Sequence, residues 1–209
     1  MTQRRSFLAQ LSLGTAALLA GSSRASAMTS AVPEPWLEGL KGRHKQFFDV
    51  GAHGQGNPLN RAMTFLNIYG SAYGLKDSDV NVIFGSHGTG LGIVLNDALW
   101  QHYNLGAHYG VDDPTTKAPA VRNPFSGVGS ASIVDTSVGA LQQRGMRFIG
   151  CMQSVARLSR QLAAKTGESQ PAIADAIVAG FLPGVTPVPA MIVAASRAQE
   201  SGLTYAYLG

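Results

Sequence analysis

The only cysteine of the chain, Cys151, lies in a context that favours thiol chemistry. The apolar run Met146–Ile149 predicts a short buried strand, Gly150 predicts a turn, and a helical pattern starts directly after Cys151. The first turn of a helix has unpaired backbone N–H groups and the positive end of the helix dipole, which favour the reactive thiolate form of a cysteine. The alternative role is structural, because free cysteines are among the most buried residue types.

His87 is the second candidate, because it follows the clearest strand pattern in the sequence. Asp79–Phe84 predicts that strand, and Gly85–Gly90 predicts a turn that leads into a helix over Leu91–Tyr103. Open parallel sheets bind ligands at the carboxyl ends of their strands, which makes His87 a site residue by position. The alternative is a turn histidine bonded to nearby backbone. The glycine spacing matches neither a dinucleotide-binding fingerprint nor a Walker loop.

Composition and charge place these residues in one globular domain. The chain has 209 residues, of which 45% are hydrophobic and 13% are charged. Its formal net charge of +4 comes mainly from residues 1–27, which hold three basic and no acidic residues. The rest of the chain has 13 basic and 12 acidic residues and no basic stripe, so we expect no nucleic acid partner.

Three further strands complete a predicted set of five. The apolar patterns of Lys45–Val50, Leu182–Pro189 and Leu203–Leu208 indicate these strands, and helical patterns separate them. The prolines of the second one limit its ladder bonding and predict a short or edge-like strand. Strands that alternate with helices predict an α/β fold with a parallel sheet.

Residues 106–132 interrupt this alternation with a long irregular stretch. Loops of that length in compact domains are usually functional or disordered. The stretch is interpreted either as a flexible surface insertion or, because of the sequence Arg122–Phe125, as a lid or an oligomer contact. A helix is predicted to follow over Ile133–Gln143, with Val138 and Leu141 facing inward.

The N-terminus has the features of an export signal. Arg4 and Arg5 precede a short apolar run, Leu11–Ala20, and the sequence Ala25–Ala27 fits a cleavage site. The pattern resembles a twin-arginine (Tat) signal, which implies contact with the Tat translocase during export and a periplasmic location. The run is too short for a stable membrane span, although an uncleaved anchor is the alternative. Residues 28–42 are interpreted as a linker.

The order of motifs resembles the DsrE/DsrF-like family, which is linked to sulfur oxidation and sulfur relay. The motifs are Gly145–Cys151, Leu182–Ala190 and Gln199–Tyr207, and the resemblance extends over residues 43–208. It implies a three-layer α/β/α sandwich with a mainly parallel five-stranded sheet, a domain over residues 43–209, and assembly into trimers or hexamers. In the family's relay proteins a cysteine at the position of Cys151 carries persulfide sulfur. Export and the long 106–132 stretch depart from the family pattern.

Two functions of different kinds are compatible with these features. The first is a sulfur carrier or sulfurtransferase-like protein in which Cys151 accepts sulfur and His87 supports it, with a donor or acceptor protein as partner. The second is a non-catalytic binding subunit in which Cys151 is structural and glycine-rich strand ends hold a small ligand. No histidine pair has zinc-ligand spacing, so neither a metal nor a cofactor is predicted. A hydrolase motif such as Gly-x-Ser-x-Gly is absent from the sequence.

Overall fold

The computed structural model describes residues 34–127 and 136–209. The predicted export signal and its cleavage site lie outside the described residues. The first residues of the helix predicted over 133–143 lie outside them too.

A single parallel sheet forms the centre of the described structure, and its five strands follow the predicted set. The strands are β1 (His44–Val50), β2 (Val80–Ser86), β3 (Arg147–Cys151), β4 (Val185–Val188) and β5 (Thr204–Tyr207). Their order in the sheet is β4-β3-β2-β1-β5, and every neighbouring pair is parallel. The proline-bounded strand β4 lies at an edge, as its sequence predicts.

Seven α-helices are described between and after these strands. They are α1 (Asn57–Tyr73), α2 (Asp97–His102), α3 (Leu105–Tyr109), α4 (Val138–Gln143), α5 (Met152–Thr166), α6 (Gln170–Ala179) and α7 (Met191–Glu200). Short 3₁₀ segments lie at 54–56, 77–79 and 88–94. Among the described helices, none is long and apolar enough to cross a membrane.

Each face of the sheet packs against helices, because successive side chains of a strand point to opposite faces. On β1, Phe48 packs in the larger core with side chains of α1, α5 and α6, whereas Phe47 packs in the smaller core with Met191 and Ala198 of α7. The same alternation places Ile149 of β3 in the smaller core. The protein is therefore a three-layer α/β/α sandwich, as predicted.

The prediction of one continuous helix over residues 91–103 is wrong. The chain forms a 3₁₀ helix over Gly88–Val94, extends through Leu95, and then begins α2. Leu95 pairs with Phe181 in an isolated bridge, and the Asn96 side chain caps α2 by accepting a hydrogen bond from the Leu99 N–H. This cap starts a new helix in the middle of the apolar run, which periodicity alone does not reveal.

Part of the irregular 106–132 stretch belongs to the core rather than to a surface insertion. Asn123 and Phe125 are fully buried. The Asn123 side chain donates hydrogen bonds to the carbonyls of Ile93 (2.9 Å) and Leu95 (2.6 Å), and it accepts one from the Phe125 N–H (2.8 Å). These bonds satisfy carbonyls that the short 3₁₀ helix leaves without helical partners. Residues 128–135 lie outside the description.

Candidate functional site

Both predicted site residues lie at the carboxyl edge of the sheet, on the face that packs against α7. Ser86 of β2 is paired with Gly150 of β3, so His87 and Cys151, which each come one residue later, lie at the same level. His87 continues the extended backbone of its strand (φ −147°, ψ −179°). Neighbouring strands are about 4.8 Å apart, so the fold makes these two residues neighbours.

A cleft of about 530 Å³ opens at this edge between the sheet and α7. Its lining includes both predicted residues and one unpredicted carboxylate, Asp49, at the end of β1. The remaining lining residues come from the start of α5, from the length of α7 with the residue before it, and from β5: Gln153, Ser154, Ala190, Met191, Ile192, Ala195, Ser196, Gln199 and Tyr205. The strand ends thus form a cleft at the edge where parallel sheets bind ligands.

Asp49 connects His87 to the edge strand β5. The Nε2 atom of His87 lies 2.7 Å from Asp49 Oδ1, and the Tyr205 hydroxyl donates a hydrogen bond of 2.7 Å to Asp49 Oδ2. One carboxylate oxygen therefore faces His87 at ion-pair distance, and the other accepts a hydrogen bond from β5. The side chains of His87 and Asp49 are 30% and 15% exposed, which leaves the imidazole accessible from the cleft.

The hydrogen bonds at Asp49 set the ionisation of the group. Burial acts to raise the pKa of Asp49, but the hydrogen bonds from His87 and Tyr205 outweigh it and hold this pKa below its ordinary value. The bond to the carboxylate and partial burial raise the pKa of Tyr205 to about 12. At neutral pH the carboxylate is therefore charged, and the phenol keeps its proton as a donor.

The imidazole is oriented toward β1 rather than toward β3. Its Nε2 faces Asp49, and a Cβ atom built on Gly51 would lie 3.2 Å from its Cε1. The carboxylate at 2.7 Å favours the tautomer with the proton on Nε2, which leaves the lone pair of the neutral ring on Nδ1. Cys151 lies on the opposite neighbour of β2. This orientation suits action on a molecule in the cleft better than direct action on the thiol.

Cys151 is almost completely buried. The residue is 4% exposed and belongs to the smaller core with Val188 and Met191. The residue nevertheless borders the cleft. Gly85 leaves room for Met191, because a Cβ atom at this position would lie 2.5 Å from the Met191 sulfur. The missing side chain lets Met191 pack over the sheet beside the cleft.

The other histidines are dispersed. His53 Nε2 lies 3.1 Å from the Tyr109 carbonyl, His102 lies near Glu168, and Lys165 contacts His108. Within residues 34–127 and 136–209, no three His, Cys, Asp or Glu side chains are grouped to hold a metal ion.

Sequence reasoning did not find Asp49 and Tyr205. The one available signal for Asp49 is its position as a carboxylate at the end of the buried pattern Phe47–Val50. Tyr205 is four strands away in the order of the chain, and only the pairing of β5 with β1 brings it to the site.

These features define an α/β/α sandwich protein with a cleft at the carboxyl edge of its sheet. No known protein family and no curated protein matches the chain. Among solved structures, it is similar to a protein of unknown function from Methanobacterium thermoautotrophicum, with 13% sequence identity and a TM-score of 0.40. That similarity covers 78% of this chain and 98% of the other.

Proposed function

We propose that the protein is a sulfur carrier or sulfurtransferase-like protein in which Cys151 accepts sulfane sulfur. The main supporting observation is that Cys151 and His87 end adjacent strands at the same level and line the same cleft. A thiol beside a hydrogen-bonded imidazole matches the chemistry of thiol-based transfer. Because Cys151 is the only cysteine of the sequence, it cannot form a disulfide within the chain.

The transfer step uses thiosulfate or polysulfide as the donor class. With thiosulfate, the Cys151 thiolate attacks the outer sulfur, a new S–S bond forms, and the donor's S–S bond breaks. Sulfite leaves with the bonding electron pair and takes up the proton that the thiol lost. His87, positioned by Asp49, supplies the N–H or lone pair that moves this proton in the cleft.

The wider setting of the proposal follows the family resemblance. It includes membership of the DsrE/DsrF-like family, export by the Tat route to the periplasm, and a sulfur donor or acceptor protein as partner. It also includes a trimeric or hexameric assembly. Exposed apolar side chains on α7 and β5 beside the cleft are compatible with such contacts, namely Ile192, Val193, Tyr205 and Tyr207.

Intact-mass measurement tests the carrier function. After incubation with thiosulfate or polysulfide, the protein should gain about 32 Da per transferred sulfur atom, and dithiothreitol should remove the adduct. Cys151→Ser should abolish the gain. The proposal fails if the wild-type protein shows no adduct that depends on Cys151.

The 4% exposure of Cys151 favours a second candidate, a non-catalytic binding subunit in which the thiol only packs. Maleimide labelling of the folded protein separates the two candidates. A labelling rate similar to that of the urea-unfolded chain supports the carrier, whereas labelling that occurs only on unfolding supports the binding subunit.

A further inference from the structure

A separate cavity of about 260 Å³ lies where α5 meets α3 and the segment that follows β2. Its lining residues are Gly88, Thr89, His108, Tyr109, Ser154, Arg157, Leu158 and Gln161. Ser154 is the one residue that lines both this cavity and the cleft at Cys151. Its hydroxyl oxygen accepts a hydrogen bond of 2.9 Å from the Gly88 N–H. The proposed sulfur transfer uses none of the residues that are particular to this cavity.

The α5 side of the cavity is positively charged. Ser154, Arg157, Gln161 and Lys165 are spaced by three or four residues, so they share one face of the helix. The sequence of α5 contains two arginines and one lysine but no aspartate or glutamate. Cations of this face therefore have no acidic neighbour on their own helix.

The cations are available to a ligand. Within the described part of the chain, Arg157 makes no ion pair or side-chain hydrogen bond, although it lines the cavity. Lys165 Nζ lies 3.0 Å from Nδ1 of His108, which lines the cavity, so a second positive charge lies near it. Burial, followed by the nearby lysine charge, lowers the pKa of His108. A neutral His108 accepts a hydrogen bond from the lysine ammonium group without adding a repulsive charge.

Tyr109 supplies a buried donor that has no assigned role. Its hydroxyl oxygen is enclosed and has no hydrogen-bond partner among residues 34–127 and 136–209. Its ring packs against Trp100 and borders the cavity. Burial raises the pKa of Tyr109 above the ordinary value, so the hydroxyl keeps its proton. A buried unpaired hydroxyl is costly, which a bound acceptor oxygen would relieve.

We infer that this cavity binds a tetrahedral oxoanion, such as phosphate or sulfate, free or as the end group of a larger ligand. Arg157 provides a planar, permanently charged donor in the lining, and Lys165 adds charge nearby through its contact with His108. The unpaired Tyr109 hydroxyl is a neutral donor that belongs to a lining residue. These groups offer donors and positive charge without a competing carboxylate in the lining. The binding site is independent of the proposed sulfur transfer and does not require Cys151.

Isothermal titration calorimetry of the full chain with sodium phosphate, at constant ionic strength, tests the inference. We expect saturable one-site binding, weakened at least about tenfold by Arg157→Gln. Arg160→Gln removes an equal charge from an exposed position of the same helix that does not line the cavity, and it should leave the affinity unchanged. Tyr109→Phe keeps the ring and should weaken binding about three- to tenfold.

The outcomes separate a site from general electrostatic attraction. Absence of saturable heat up to about 10 mM phosphate, a range that still detects millimolar affinity, overturns the inference. Equal weakening by Arg157→Gln and Arg160→Gln also overturns it. Titration with ribose 5-phosphate identifies the source of the anion: tighter binding than phosphate indicates a larger ligand, and equal or weaker binding indicates the free ion.

Discussion

Asp49 Oδ1 lies 2.7 Å from His87 Nε2, and this pair joins the ends of two adjacent parallel strands. The carboxylate favours a proton on Nε2 of the imidazole, and the ring is directed toward β1. Tyr205 holds the other carboxylate oxygen at 2.7 Å, so the orientation depends on three strands. The carboxylate is thus a positioning group for His87, whereas the thiol lies on the opposite side of β2.

Replacing Asp49 tests whether His87 acts on the sulfur donor in the cleft or on the Cys151 thiol. We expect Asp49→Asn to slow sulfur uptake from thiosulfate roughly 100-fold at neutral pH, because His87 loses its charged partner. Maleimide labelling of Cys151 should stay within about twofold, since the imidazole is directed away from β3. Mass spectrometry follows both reactions over time. Asp175→Asn, at an exposed position of α6, is the matched control, and an equal slowing there contradicts this role.

Asn123 should make a large contribution to stability. Its buried amide satisfies the carbonyls of Ile93 and Leu95, so Asn123→Ala leaves two buried acceptors unpaired. We expect the free energy of unfolding to fall by about 2–4 kcal/mol, measured by urea denaturation followed by circular dichroism. Asn60→Ala, on α1, provides the comparison and should cost less than about 1 kcal/mol. Similar losses for both variants contradict the bonding role.

Arg144 joins α4 to the chain before β2 through a two-pronged ion pair. Its Nε and Nη2 donate to the two carboxylate oxygens of Asp77 at 2.8 and 2.7 Å, and Nη1 donates to Asn67. Lysine cannot reproduce this fork, but the Asp77 side chain is 40% exposed, so solvent limits the effect. Arg144→Lys should therefore cost about 1 kcal/mol in a denaturation experiment, against no measurable change for Arg61→Lys.

Stability should decrease in acid because carboxylates such as Asp77 and Asp49 have lowered pKa values. The Arg144 hydrogen bonds hold the pKa of Asp77 below 3.8, and His87 and Tyr205 do the same for Asp49 against the effect of burial. A group whose pKa is lower when folded contributes stability that is complete above its ordinary pKa and is lost as the pH falls through the folded value. We therefore expect urea midpoints to be level above about pH 7, to fall slightly as His53 and His108, whose pKa values burial lowers, take up protons, and to fall further below about pH 4.

The Asp49→Asn variant provides the control for this pH dependence. It removes one of these carboxylates, so its acid decrease should be shallower than that of the wild-type protein. An acid decrease of unchanged slope in this variant contradicts the contribution of Asp49.

The amino-acid sequence alone was enough to predict the five strands, the parallel sheet and the position of Cys151 at a strand end. Those features depend on local patterns: apolar runs such as Val80–Phe84, bounded by glycines, bury the same way in most contexts. Edge placement of β4 followed from its prolines for a similarly local reason.

Only the tertiary structure decided which strand ends meet. Pairing of β5 with β1 brings Tyr205 to Asp49 across 156 positions of the chain, and no periodic pattern specifies such a partner. The break of the predicted 91–103 helix and the burial of Asn123 have the same origin. In both cases hydrogen bonds between distant segments outweigh the local helical pattern, because buried backbone carbonyls must be satisfied wherever a partner is available.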